Sequence, residues 1–151
     1  KMEKQKGVTV TALYILAAAF IAELSAAAVI DLKTMKIPDI INIIIAGTGL
    51  VYSFLSPPFY HHIIGALTGG IPILIISMYS GMGGGDVKLA AAAGLFVGGI
   101  RAIWSLVVAF FLGGIAAFVM IAIRYANGKS RIPFAPFISA GFIITLILGG
   151  I

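Results

Sequence analysis

The chain has no cysteine, a single tryptophan and only five carboxylate side chains in 151 residues. Without thiols it has no disulfide framework, no thiolate metal ligand and no cysteine nucleophile. Charge of either sign is scarce: 10% of residues are Asp, Glu, Lys or Arg, against about a quarter in soluble domains. Apolar residues make up 61%, and the mean hydropathy is +1.16. One small water-soluble core cannot hide that excess, so the composition describes a polytopic membrane protein.

A helical span takes about 20 residues. Six spans with short connections would use nearly the whole length, so residues 1–151 read as a single transmembrane domain. The net charge of +5 does not form a patch, because the basic residues are scattered at the ends of apolar runs. Lysine and arginine set membrane orientation there, and nucleic acid is not an expected partner. Hydropathy separates segments at 8–30, 40–55, 63–79, 87–99, 102–123 and 134–151. The connections "DLKTMKIPD", "SPPFYHH", "SGMGGGD", "GIR" and "RYANGKSRIP" all carry turn formers or charges. Nothing alternates with period two, and lipid admits only helices or closed barrels. The expected fold class is an all-α integral membrane protein, a bundle of about six transmembrane helices. The first apolar run is longer than the ~7–15 residues of a signal-peptide core, so it reads as a retained helix. Gly65/Gly69 and Gly94/Gly98 have the spacing that lets helices approach closely. Gly69, Gly70 and Pro72 suggest a hinge, and His61 and His62 read as interfacial loop residues without metal-binding spacing.

The odd-numbered connections carry Lys33, Lys36, Lys88, Arg124, Lys129 and Arg131, and the even-numbered ones only Arg101. That asymmetry predicts that the odd connections face the cytoplasm. Lys4 and Lys6 oppose this orientation, as does Lys1, which stands ahead of Met2 and reads as an added residue.

The acids are Glu3, Glu23, Asp31, Asp39 and Asp86. Asp31 and Asp39 bracket the first connection and Asp86 closes the third, so six spans put all three at one membrane face. A helix from Asp86 to Arg101 rises only about 22 Å, against a hydrocarbon thickness of about 30 Å. With Arg101 at the far interface, Asp86 is expected below the near surface. An acid at that depth is costly and marks function by default. The glycines before it let another backbone approach, and a peptide is the expected one. Two carboxylates sharing a proton can hydrolyse an amide: the ionised one draws a proton from water while the protonated one hydrogen-bonds the scissile carbonyl. The alternative is that Asp31 and Asp86 are ordinary loop charges paired with Lys33 and Lys88.

The residues flanking both acids favour hydrolysis. "DLKTMKIPD" (31–39), "GMGGGDVKL" (81–89) and "RIPFAPFISAG" (131–141) together resemble the signatures of the type IV prepilin peptidases, aspartic membrane proteases of the G-x-G-D class. The resemblance implies catalytic roles for Asp31 and Asp86. It implies motif or supporting roles for Gly83, Gly85, Lys88, Pro38 and Asp39. It also implies cleavage of a short basic leader from pilin-like precursors, just ahead of their hydrophobic helix, at the cytoplasmic face of the inner membrane. No metal or organic cofactor is called for. Ala135 stands where glycine is expected. The paired C-x-x-C domain of many bacterial relatives is missing, so N-methyltransferase activity is not expected. The presenilin-like branch fits poorly, since its Y-D element appears as "VID" and its P-A-L element is absent.

Three residues keep two readings. Glu23, about 12 Å along the first helix from Asp31, either contacts a basic leader residue or tunes the pair, or else is a protonated acid bonded to a neighbouring helix. Lys88 either holds a catalytic carboxylate ionised or reaches lipid headgroups. Asp39 is expected to cap the second helix. A rival from another class is a small transporter or proton-conducting bundle built on buried acids.

Overall fold

The structure, a computed structural model, describes residues 2–80, 82–123 and 133–149, with side chains from residue 9 onward. Arg124, Lys129 and Arg131 lie outside the described residues. Among the described residues six helices follow in order: α1 (Met2–Thr34), α2 (Asp39–Leu55), α3 (Phe59–Ser80), α4 (Gly84–Val97), α5 (Gly99–Ala122) and α6 (Ala135–Gly149). α1, α3 and α5 contain spans long and apolar enough to cross a membrane, and α2 and α6 are shorter apolar helices. The outward faces are apolar as well, with Ile43, Phe54, Phe111 and Phe118 among the exposed side chains. This all-helical membrane bundle is the architecture expected from hydropathy.

Local sequence sets the breaks. α4 begins after Gly83, whose backbone is extended, and ends at Gly98, whose φ of +85° lies in the left-handed region that favours glycine. α3 runs through Pro72 without ending, and its Gly69 and Gly70 serve packing rather than a break. A Cβ at Gly69 would collide with the Ala90 carbonyl, and one at Gly65 with the Gly94 carbonyl. Glycine at these sites lets α3 and α4 touch backbone to backbone. In lipid, where apolar burial drives little helix association, such close packing is what holds helices together.

α1, α2, α4 and α6 form a ring in which each helix packs on the next, while α3 lies outside α4 and α5 outside α6. α1 and α4 face each other across this ring and meet through side chains rather than backbone. Phe20 of α1 stacks on Phe96 of α4 at 4.0 Å, and Tyr52 of α2 stacks on the same Phe96 at 4.1 Å. These rings close one end of the interior, and Leu24, Ala27, Leu89 and Ala93 fill its middle. The other end belongs to Asp31 and Asp86.

His62 corrects the reading of the second connection. It sits in the first turn of α3, buried, with its ring nitrogens 3.0 Å from the Leu95 carbonyl and 2.9 Å from that of Ser56. It ties that connection to the end of α4.

Overpacking a tight core costs about 1–3 kcal/mol or more. Gly65→Val and Gly94→Val are therefore expected to lower the melting temperature in detergent micelles sharply. Gly47→Ala, where an added Cβ meets nothing within 4 Å, is expected to leave it unchanged or raise it. Equal melting of all three variants would contradict backbone contact between α3 and α4.

Candidate active site

Asp31 lies in the last turn of α1 and Asp86 in the first turn of α4. They come from opposite sides of the ring, yet both are buried, at 5% and 9% exposure, and the packing of Ile37 on Gly85 brings the segments that bear them to the same end. The two acids singled out in the sequence thus lie at one end of the ring. The pairing with Lys33 and Lys88 that would make these acids ordinary loop charges is not what forms. Lys88 instead bonds Asp39, Nζ to Oδ1 at 2.8 Å, with both side chains more than half exposed.

The chain leaves α1 through Met35, at φ +52°, whose N–H donates to the Asp31 carbonyl at 2.8 Å. The Thr34 hydroxyl lies 2.9 Å from the carbonyls of both Ile30 and Lys36. This turn carries Ile37 onto the head of α4. A Cβ on Gly85 would meet the Ile37 Cβ at 3.2 Å, so the glycine leaves just enough space for the first connection to pack there. The two aspartate signatures, about fifty residues apart, thereby hold each other in register. Asn42 of α2 adds a long bond, its Nδ2 donating to the Gly85 carbonyl at 3.5 Å.

Asp39 does not cap α2. Pro38 occupies the cap position with an extended backbone and no side-chain bond, and Asp39 is the first residue inside the helix. A carboxylate is still favourable in that first turn because of the helix dipole, and pairing with Lys88 takes up its side chain. Glu23 accepts a hydrogen bond from the Thr48 hydroxyl of α2 at 2.7 Å, and its other oxygen is buried without a partner among the described residues.

One contributor had no side-chain signature. The backbone N–H of Ala135, the first residue of α6, donates to Asp31 Oδ2 at 3.1 Å in a buried setting. The first N–H groups of any helix lack intrahelical acceptors and carry the positive end of its dipole. α6 aims them at one catalytic candidate. Pro136, next in line, has no N–H to satisfy. The Asp86 carboxylate accepts no hydrogen bond among the described residues, so the two acids sit in unlike environments. Among the described residues no cluster of His, Cys, Asp and Glu is arranged to hold a metal ion.

Residues 18–150 match the model of the type IV leader peptidase family. The chain is 33% identical over 88% of its length to a Prepilin leader peptidase/N-methyltransferase of Bacillus subtilis (strain 168), covering 55% of that protein. It is 30% identical over 80% of its length to a protein of the same name from Aeromonas salmonicida (strain A449), covering 44% of it. The chain thus spans about half the length of the curated relatives it matches. No solved structure matches it.

An exposed ion pair contributes at most about 1 kcal/mol. Asp39→Asn and Lys88→Gln are each expected to shift thermal stability by no more than that, with a double-mutant coupling of similar size. A coupling of several kcal/mol would mean that the pair is structural.

Proposed function

This chain belongs to the type IV leader peptidase family, and from that premise we propose that it is an aspartic endopeptidase removing the leader from pilin-like precursors. The observation that carries the reading is that the buried Asp31 and Asp86 lie at the same end of the helical ring, with the α6 amide on only one of them. We assign the ionised role to Asp31, whose negative charge the Ala135 N–H and the dipole of α6 stabilise. Asp86, without such a donor, carries the shared proton.

In the reaction Asp31 takes a proton from a water molecule, and the water oxygen bonds to the scissile carbonyl carbon. Asp86 passes its proton to the carbonyl oxygen, giving a neutral tetrahedral diol. Asp31 then protonates the leaving amine nitrogen and Asp86 recovers a proton from a diol hydroxyl. The C–N bond breaks, releasing the leader carboxyl and the new N-terminus, and the dyad returns to its starting state. Gly83 and Gly84 keep side chains away from the head of α4 so that the substrate backbone can reach the acid, while Gly85 makes room for Ile37.

We place the protein in the cytoplasmic membrane as one transmembrane domain. The dyad end faces the cytoplasm, as the basic residues of the odd connections favour. The substrate then carries a short basic leader followed by a hydrophobic helix. The N-methyltransferase activity in the relatives' names is not proposed for this chain. A transporter would need a polar route past the Phe20, Phe96 and Tyr52 stack, and the family gives that rival no support.

Asp31→Asn and Asp86→Asn are each expected to abolish precursor cleavage on a gel while melting like the unaltered protein, and full activity in either rejects the dyad. The pH dependence of kcat/KM is expected to be bell-shaped, reporting two coupled ionisations; a flat profile across the acid range contradicts a shared proton.

Ala135→Pro tests the α6 amide, because proline suits the first helical position and lacks the N–H. A hydrogen bond to a charged group is worth about 1.5–3 kcal/mol, so kcat is expected to fall about tenfold to a hundredfold. Ala135→Gly, which keeps the amide, is expected to retain the rate. Equal rates for both variants exclude a role for the amide.

A further inference from the structure

α2 and α3 both pack on α4 but barely touch each other, and between them a groove of about 480 Å³ opens on the outer side of the ring. Its floor is Ala91, Ala92 and Leu95 of α4, and its walls include Ala46 of α2 and Ala66 of α3. The Asp39–Lys88 pair stands at its mouth. From Lys88 to Leu95 it runs about 10 Å, two helical turns. One wall residue is polar and incomplete: Asn42 is 5% exposed, and its Oδ1 has no hydrogen-bond donor among the described residues.

Resting on the peptidase reading above, we propose that this groove seats the first two turns of the precursor's hydrophobic helix, immediately after the cleavage site. The first N–H groups of that helix have no acceptors of their own, and in lipid no water replaces them. The groove offers acceptors at the matching level. Asn42, whose Oδ1 has no donor among the described residues, lies in the wall, and the Asp39 carboxylate sits about one helical turn above. A lipid acyl chain has no donors to give either group. The alanine floor lets a helix backbone come close.

The route to the dyad is short. Lys88, Ala91 and Leu95 lie on the face of α4 turned away from Asp86, so a chain leaving the groove must cross the head of that helix. The crossing is about one helix diameter, 10 Å, or about three extended residues. It passes over Gly83 and Gly84. A Cβ on Gly84 would meet nothing within 4 Å, and one on Gly83 would come no closer than 3.9 Å to Asp86 Oδ2. The precursor therefore unwinds for about three residues between its docked helix and the scissile amide.

Because the chain has no cysteine, single thiols test this directly. Ile43→Cys, on the α2 wall, is combined with Asp86→Asn, and a precursor with one cysteine scanned along the start of its hydrophobic segment is co-reconstituted and oxidised. Disulfide-linked adducts are expected to recur every three to four residues, beginning about three residues beyond the cut. They are not expected from Phe118→Cys on the outward face of α5, where the side chain is 74% exposed. No adduct, equal adducts from both sites, or linkage between two copies of the enzyme would overturn the proposal, pointing respectively to lipid, random collision or self-association. Cleavage of the same precursor by the unaltered protein is measured in parallel. Cleavage without periodic adducts rejects the groove alone, whereas no cleavage rejects the peptidase reading and the groove with it.

Discussion

The bond from the Ala135 amide to Asp31 is the contact on which the rest of the site depends. A carboxylate inside a bundle of apolar helices has few sources of stabilisation, and removing one from water without a partner is expensive. This chain supplies the partner from backbone, at the one place where a helix has N–H groups to spare. The bond also spans the fold, joining the end of α1 to the start of α6 across 104 positions of sequence. It closes the ring of α1, α2, α4 and α6 at the end where chemistry is proposed, while the Phe20, Phe96 and Tyr52 stack closes the other. Polar function and apolar support are thereby segregated along the membrane normal.

Glycine does two different jobs in this arrangement. Along the α3–α4 contact, Gly65, Gly69 and Gly94 remove side chains so that backbones can touch, which fixes α4 firmly. At the head of α4, Gly83 and Gly84 remove side chains where nothing fills the space. The same residue type makes one part of a helix rigidly placed and leaves its tip approachable. Gly85 lies between the two cases, packed by Ile37 and followed in the chain by Asp86. An aspartate borne on an anchored helix, behind an open tip, can hold its position while a substrate backbone passes beside it.

That Asp31 and Asp86 lie at one end of the bundle was legible in the sequence because acids are rare in an apolar chain and each one must be explained by depth and position. Helix number followed from hydropathy for a related reason: in lipid every backbone polar group must be satisfied within the segment, so the apolar runs are the helices. Other features were not legible. An amide donor looks the same at every residue, so nothing about Ala135 announced its role, although the adjoining prolines marked the stretch as unusual. Asp39 was misread as a cap because capping preference is local, whereas its actual partner, Lys88, lies 49 positions away. His62 was assigned to a loop by its neighbours Pro57 and Pro58, yet its position is set by carbonyls from two separate segments. In each case a long-range contact overrode a short-range rule.

The order of helices around the ring also escaped a linear reading, and it bears on specificity. Helices adjacent in sequence need not be adjacent in space: α2 and α3 are joined by a short connection but are held apart by α4. Had they packed directly, α4 would have no outward groove beside the end that bears Asp86. Because they diverge, the helix that bears Asp86 on its inner face also presents an alanine-lined outer face to the bilayer, about one helix diameter from that acid. For the function proposed above, having both faces on one rigid element matters, since any relative motion between docking surface and acid would blur the position of the cut.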